Sequence, residues 1–337
     1  MRPPLRDVND LTWVILAAVL YVVTSPPASN MVSRAVYLAE GVPGAVLDEG
    51  SARLGVERPG AQSVDRRGGL MADRVTVSIE GGVADVRLNR PDKINALDPA
   101  MFAGLAETGE ALKGDTAVRA VVLSGEGRGF CAGLDFTSFQ AMAGDGAAEA
   151  PTRSIGETDG RMTHLGQQAA WVWQELEVPV IAAVHGVALG GGIQIALGAD
   201  MRFVAPDARL SVLEIRWGLV PDMTGTVTLT RLVGLDVAKE LTFTGRMVSG
   251  EEAGRMGLAT RVTPTPRDDA LELARELAGK SPSALRGAKR LLNASGTRPL
   301  AEQLAAERQE IGALIGNPDQ VEAVTAYFEK RDPVFGG

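Results

Sequence analysis

The chain has 337 residues, 45% hydrophobic and 23% charged, which is enough for one large α/β domain or two smaller ones. With 34 basic and 42 acidic side chains the net charge is −8, which argues against a protein held to nucleic acid by phosphate contacts. Only 4% aromatic residues argues against base-stacking platforms. The single cysteine, Cys131, excludes an internal disulfide, and with just two histidines, His164 and His185, little remains for a zinc site. The composition fits a cytoplasmic enzyme that acts on a small molecule, with no metal and no nucleic-acid partner.

Residues 1–70 differ from the rest. They carry seven basic and seven acidic side chains, no lysine, and breakers such as Pro26-Pro27 and Pro59-Gly60. Their one apolar run, Leu11 to Val23, is short of the roughly 20 residues a bilayer span needs. A signal peptide, a short membrane- or partner-binding helix, and translation starting at Met71 all remain open for this segment. The reading adopted is an appendage, unstructured or outside the true start, with no chemistry.

From residue 71 the pattern becomes regular. Val75–Ile79 and Val83–Leu88 alternate at period two around Gly81-Gly82, the signature of a β-hairpin. Asp98-Pro99 starts a helix to about Leu112, with Asp at the N-cap and Pro in the first turn. A compact apolar strand follows at Val118–Leu123. A helix is expected over 159–176, a buried strand at Val180–Val184, and a helix running from Gly190-Gly191-Gly192 to Gly198. Met201–Val204 reads as a strand, Ser211–Ile215 as extended and Thr226–Leu232 as helical. The remainder is nearly all helix, at 268–279, 282–293, 299–315 and 318–330. This gives a β/α core over 71–265 and a helical C-terminal region over 266–337.

Two glycine-rich turns follow apolar strands, at Gly127–Asp135 and at His185–Gln194. Neither has the spacing of a dinucleotide or P-loop fingerprint, and no G-x-S-x-G elbow occurs. A glycine run opening a helix presents free N–H groups at the positive end of a dipole, which suits an oxygen that becomes anionic in a transition state. Taken singly, each turn is equally consistent with tight strand-to-helix packing.

Four segments together resemble one family. They are Arg87-Leu88-Asn89-Arg90-Pro91-Asp92-Lys93-Ile94-Asn95-Ala96-Leu97, Phe130-Cys131-Ala132-Gly133-Leu134-Asp135, Ala182 to Gly192 and Leu210 to Asp222. In these the chain resembles the crotonase (enoyl-CoA hydratase/isomerase) superfamily from about residue 74 to 331. The resemblance implies a spiral of β-β-α units, a C-terminal helical trimerisation region and acyl-CoA thioester substrates. The expected assembly is a homotrimer or a dimer of trimers. Coenzyme A enters as part of the substrate, and no separate cofactor is implied.

Carried over by residue, the resemblance implies that the backbone N–H groups of Leu134 and Gly191 are the oxyanion donors. It places CoA contacts at Lys93, Ile94, Asn95 and Ala96, at Arg128, at Ala132 through Asp135 (Gly133 included), and at Lys330. Hydratases of the family resemble one another in carrying two glutamates. One of these is present as Glu214, and the other is replaced by Gln194, whose amide cannot exchange a proton at neutral pH. Asp222, eight residues after Glu214, falls where the dienoyl-CoA isomerases resemble one another in having an aspartate; their further acidic residue falls on Gln194. The expected reaction is therefore double-bond migration by Glu214 and Asp222, with Gln194 orienting the thioester or a water. Hydration working mainly through Glu214, and a non-catalytic acyl-CoA binder, are the alternatives. Bland readings stand beside the sharp ones: Asp222 as a helix cap, His185 bonding the backbone, Cys131 in the core. Trp171, Trp173 and Trp217 could line an acyl pocket or fill a core.

Overall fold

The computed structural model describes residues 74–135, 158 and 160–336. The chain divides into units of residues 1–62 and 63–337, and every described residue belongs to the second; the expectations for 1–70 lie outside the described residues. The hairpin forms as its alternation requires, with β1 (Val75–Glu80) antiparallel to β2 (Val83–Leu88) and Glu80 facing Val83 across the Gly81-Gly82 turn. Helix α1 (Pro99–Lys113) starts at Asp98, whose carboxylate accepts the Met101 N–H. Strand β3 (Ala120–Gly125) begins two residues later than the apolar run suggests. The Asp115 side chain takes the Ala117 N–H, and its carbonyl takes that of Val118, which holds the entry as a turn.

Helix α2 (Leu165–Glu175) likewise starts later than residue 159, because His164 closes a capping box with Gln167. Strands β4 (Val180–Val184) and β5 (Val187–Leu189) follow, then helix α3 (Gly191–Gly198). Next come β6 (Met201–Val204), β7 (Arg209–Ser211), a 3-10 turn at Glu214–Trp217, and α4 (Gly225–Val233). The extended piece expected to reach Ile215 stops at Ser211. Leu213 turns to right-handed helical angles, and Gly218, at φ 70°, closes the 3-10 turn. Helix α5 (Leu235–Thr244), strand β8 (Val248–Ser249), helix α6 (Gly250–Arg255) and strand β9 (Arg261–Val262) complete the β/α region. Four helices end the chain: α7 (Pro266–Ala278), α8 (Pro282–Ala294), α9 (Leu300–Leu314) and α10 (Pro318–Glu329).

The strands form a six-stranded sheet, β1-β2-β3-β4-β6-β9, parallel from β2 onward, and a three-stranded sheet, β5-β7-β8. Each turn of the spiral gives one strand to the large sheet, one to the small sheet, and then a helix. β4-β5-α3 and β6-β7-α4 are two such turns. In the turn before them, β3 leads to Cys131, which bridges Ala188 beside the small sheet. One face of the large sheet packs under α1, α2 and α3 through Leu88, Leu105, Leu123, Trp173 and Ile193. The other packs on α7, where Ala270, Ala274 and Ala278 meet Val122, Ile181 and Phe203. Trp173 is fully buried in the core, so it does not wall a pocket, whereas Trp217 is half exposed.

Helix α8 is fastened by a buried cation. Lys289 donates to the carbonyls of Trp173 and Val178 at 3.2 and 2.9 Å and pairs with Asp200 at 2.7 Å. Burial pushes the Lys289 ammonium down and the Asp200 carboxyl up from their ordinary values, and the pair's attraction opposes both shifts. Lys289→Ala leaves Asp200 buried without its partner, and a loss of about 3–5 kcal/mol is expected. Denaturant unfolding would read this as a lower midpoint, and an unchanged midpoint would deny the pair its structural role.

Candidate active site

Two chain crossings build the centre. The first is Cys131–Asp135, which runs between Leu97 and the β5 segment. Leu97 N–H donates to Gly133 O at 2.8 Å, and Asp135 N–H donates to Leu97 O at 2.9 Å. In this parallel bridge the Leu134 N–H points away from Leu97. On the other side, Cys131 N–H donates to Val187 O and Leu189 N–H to Cys131 O, at 2.9 and 3.0 Å. The second crossing is the end of β5, where Gly190, at φ 54°, turns the chain into α3 and leaves Gly191 as its first residue. Among the described residues neither the Leu134 nor the Gly191 N–H has an acceptor. Both residues are partly open to solvent. The fold thus brings the two expected donors onto adjacent segments, each with its N–H free.

Gly133 makes that adjacency possible. Its φ is +87°, and a Cβ there would lie 2.6 Å from Leu189 O, just before the Gly190 turn. Gly191 is similarly enclosed, since its Cβ would sit 2.6 Å from Leu97 Cδ1 and 2.8 Å from Met223 Sδ.

Glu214 opens the 3-10 turn after β7 with its side chain buried beside Gly190. Its Oε1 accepts from Gln194 Nε2 at 2.5 Å, while its Oε2 is buried with no hydrogen-bond partner among the described residues. Desolvation raises its pKa. Hydrogen bonds from Gln194 and backbone N–H groups oppose the rise, and the negative charge of Asp222 adds to it. Asp222 is exposed and close enough for that charge to be felt. Its bland reading as a helix cap does not hold, because Thr224 occupies the N-cap of α4, at φ 68°, and no side chain caps that end.

Gln194, on α3, is 1% exposed. Besides its bond to Glu214, its Oε1 accepts the N–H groups of Met223 and Gly225 at 2.9 and 3.0 Å. Its carbonyl is therefore occupied by the protein itself, so the expected orienting of a thioester or water by this amide has no free acceptor.

The expected CoA contacts divide into two kinds. Lys93, Arg128 and Lys330 are exposed cations, suited to phosphate. Ile94, Asn95, Ala96, Ala132, Gly133 and Asp135 lie on two joined segments, with Ala132 N–H donating to Ile94 O at 2.9 Å, while Lys330 sits at the C-cap of α10. Asn95 is fully buried and ties those segments together. Its Nδ2 faces the carbonyls of Glu126, Gly129 and Phe130 at 2.9 to 3.1 Å, and its Oδ1 accepts the Arg90 N–H at 2.8 Å. Ile94 and Asn95 both take left-handed angles, φ 51° and 55°, which are costly for a β-branched residue and easier for Asn. The Asp135 carboxylate is buried and paired with Arg90 at 2.5 Å, so its side chain acts inside the loop. Arg90 was not singled out from the sequence. The signal available was its place in the same Arg87–Leu97 segment, ahead of Pro91. His185 bonds Gly127 O at 2.9 Å. Cys131 is fully buried, donates to Asn95 O, and is pushed up to about 12 by desolvation, which leaves it a core thiol.

Two N–H groups without acceptors among the described residues, on adjacent segments near a buried carboxylate, suit chemistry through a thioester enolate. The family profile described as enoyl-CoA hydratase/isomerase matches residues 78–337, and the chain belongs to that family. The short-chain-enoyl-CoA hydratase of Clostridium acetobutylicum is 34% identical over 263 residues, 77% of this chain and 96% of that one. The 1,2-epoxyphenylacetyl-CoA isomerase of Escherichia coli is 34% identical over 270 residues, 79% of this chain and all of that one. The crystal structure of an enoyl-CoA hydratase from Bacillus anthracis superposes with a TM-score of 0.70 at 31% identity, covering 78% and 98% of the two chains. The crotonase fold and membership expected from the four segments are those of the molecule. Among the described residues no helix is long and apolar enough to cross a membrane.

Proposed function

We propose that this protein moves a double bond in an enoyl- or dienoyl-CoA. The thioester oxygen sits between the N–H groups of Leu134 and Gly191. Glu214 Oε2 takes a proton from the acyl chain, the enolate charge collects on the oxygen, and a proton returns at another carbon through Glu214 or Asp222. Each oxyanion donor is worth about 10²–10³ in rate. The raised Glu214 pKa suits a base that must also give the proton back near neutral pH. The observation that carries this reading is Gln194: where a hydratase of the family has a second glutamate, this chain has an amide whose carbonyl already holds two backbone N–H groups. The exposed apolar run Ile215, Trp217, Leu219 and Val220 beside Glu214 supports an acyl chain as the neighbour. Lys93, Arg128 and Lys330 would meet the CoA phosphates. The exposed Leu300, Ile311, Ile315, Tyr327 and Phe328 on and beside α9 and α10 would pack between the subunits of a homotrimer.

The test is the ultraviolet spectrum of a 3,5-dienoyl-CoA incubated with the protein. Growth of the conjugated 2,4-dienoyl band, lost in Asp222→Asn, is the expected result. The hydratase reading is favoured by the name of the Clostridium relative, and in it Glu214 alone would activate water. Loss of the absorbance of a 2-enoyl-CoA, with no change in the dienoyl substrate, would support it instead. Saturable thioester binding with no turnover of either substrate would mark a non-catalytic binder.

A further inference from the structure

Gln194 lies at the meeting point of three elements: α3, which carries it, the 3-10 turn of Glu214, and the loop that leads from Asp222 into α4. One amide bonds all three, through Nε2 to Glu214 Oε1 and through Oε1 to the N–H groups of Met223 and Gly225. The two backbone donors flank Thr224, a non-glycine residue at φ 68° whose hydroxyl is buried without a partner among the described residues. A turn held in that conformation needs an external restraint. The fit is close, since a Cβ at Gly225 would stand 2.6 Å from Gln194 Oε1. Of the two Glu214 oxygens, Oε1 takes this bracket, and Oε2 has no hydrogen-bond partner among the described residues.

We propose that Gln194 is a positioning residue that restrains one oxygen of Glu214, leaves Oε2 as the proton-exchanging atom, and clamps the Met223–Gly225 turn that places Asp222. The proposal rests on the reading of Glu214 as the proton-transfer group, and it adds which oxygen acts and what sets the spacing of the two carboxylates. An amide does this where a carboxylate would not. It donates to Glu214 and accepts from the loop at every pH, whereas an ionised glutamate at 194 would face Glu214 with like charge. Among the described residues Asp222 is the charged group whose field reaches Glu214, and burial and backbone N–H groups act on it beside Gln194, so the effect of Gln194 is read as the difference from the parent.

The experiment is a carbon-13 NMR titration of δ-carboxyl-labelled glutamate in the full chain, with Glu214 assigned by its loss in Glu214→Gln. Gln194→Met removes the hydrogen bond that favours the charged carboxylate, so the Glu214 titration should move up by about one to two pH units. Where turnover is measurable, the acidic limb of kcat/KM should move with it, and kcat should fall more than KM changes. Gln194→Glu keeps the bracket only while its own proton remains. It should therefore show wild-type Glu214 behaviour at low pH and a second, coupled titration above it. Because Gln194→Glu is nearly isosteric, it serves where Gln194→Met does not fold. An unmoved Glu214 titration in folded Gln194→Met, or a Gln194→Glu carboxyl that titrates independently of Glu214, overturns the proposal. The NMR shift is read without substrate. Absence of isomerase activity with the shift present removes the proposed reaction but keeps the bracket. An unmoved titration with isomerase activity intact removes the bracket alone.

Discussion

Glu214→Gln is expected to lower turnover of an enoyl- or dienoyl-CoA by about 10²–10⁴-fold, the usual worth of a positioned acid–base group. Affinity for a saturated acyl-CoA should stay near that of the parent, because the change adds no bulk and leaves the Leu134 and Gly191 N–H groups in place. The pH profile carries a signature of its own. Only the ionised carboxylate accepts a proton, so kcat/KM of the parent should fall as pH drops through the raised Glu214 pKa. In Glu214→Gln that limb should be absent from whatever activity remains. Stability should move the other way. The substitution removes a charge whose Oε2 is buried without a hydrogen bond among the described residues, and the thermal midpoint is expected to rise. Loss of activity accompanied by a lower midpoint would instead point to a structural role for this carboxylate, and near-parental turnover would exclude it as the base.

The second large effect is expected from a methyl group. Gly133→Ala forces a side chain onto a backbone at φ +87° and brings its Cβ to 2.6 Å from Leu189 O. Neither the strand bridge through Cys131 and Ala188 nor the turn at Gly190 can yield without moving the Leu134 N–H, the proposed oxyanion donor, relative to that of Gly191. Disturbing one donor costs about 10²–10³ in rate, so a fall of at least 100-fold in kcat is expected. The measurement is steady-state kinetics on protein shown by circular dichroism to be folded. If kcat/KM were unchanged, the two N–H groups would not form a cooperating pair.

The sequence exposed the parts of this molecule that follow from local rules. The hairpin shows itself because Val75, Val77 and Ile79 alternate with polar residues up to a Gly-Gly turn. Helix α1 is announced by Asp98-Pro99. Elements set by distant contacts are hidden. Strand β5 is three residues long and exists because β7 and the Cys131 bridge lie on either side of it. Helix α5 follows Gly234, at φ 80°, only two residues after Leu232, so the apolar pattern of α4 runs into it without a visible break. The same division holds at the site. The four family segments singled out Glu214, Leu134 and Gly191 as candidates. That Gln194 cannot ionise is readable from its identity, but that both ends of its amide are taken depends on partners 20 to 31 residues away. Asp135 is expected as a CoA contact, and a short acidic residue after glycine and leucine gives no hint of its pairing with Arg90, 45 positions earlier.

Asn95 has a consequence for how the two ends of a long substrate communicate. Its amide gathers three carbonyls of the 126–130 segment, which continues directly into Leu134, and its own backbone belongs to the stretch assigned to the CoA handle. On the proposed reading, a pull on the handle is passed through Asn95 to the segment that carries the Leu134 N–H. Binding energy gained far from the reacting carbon can then tighten the grip on the thioester oxygen. A substrate cut down to its acyl end should lose speed as well as affinity.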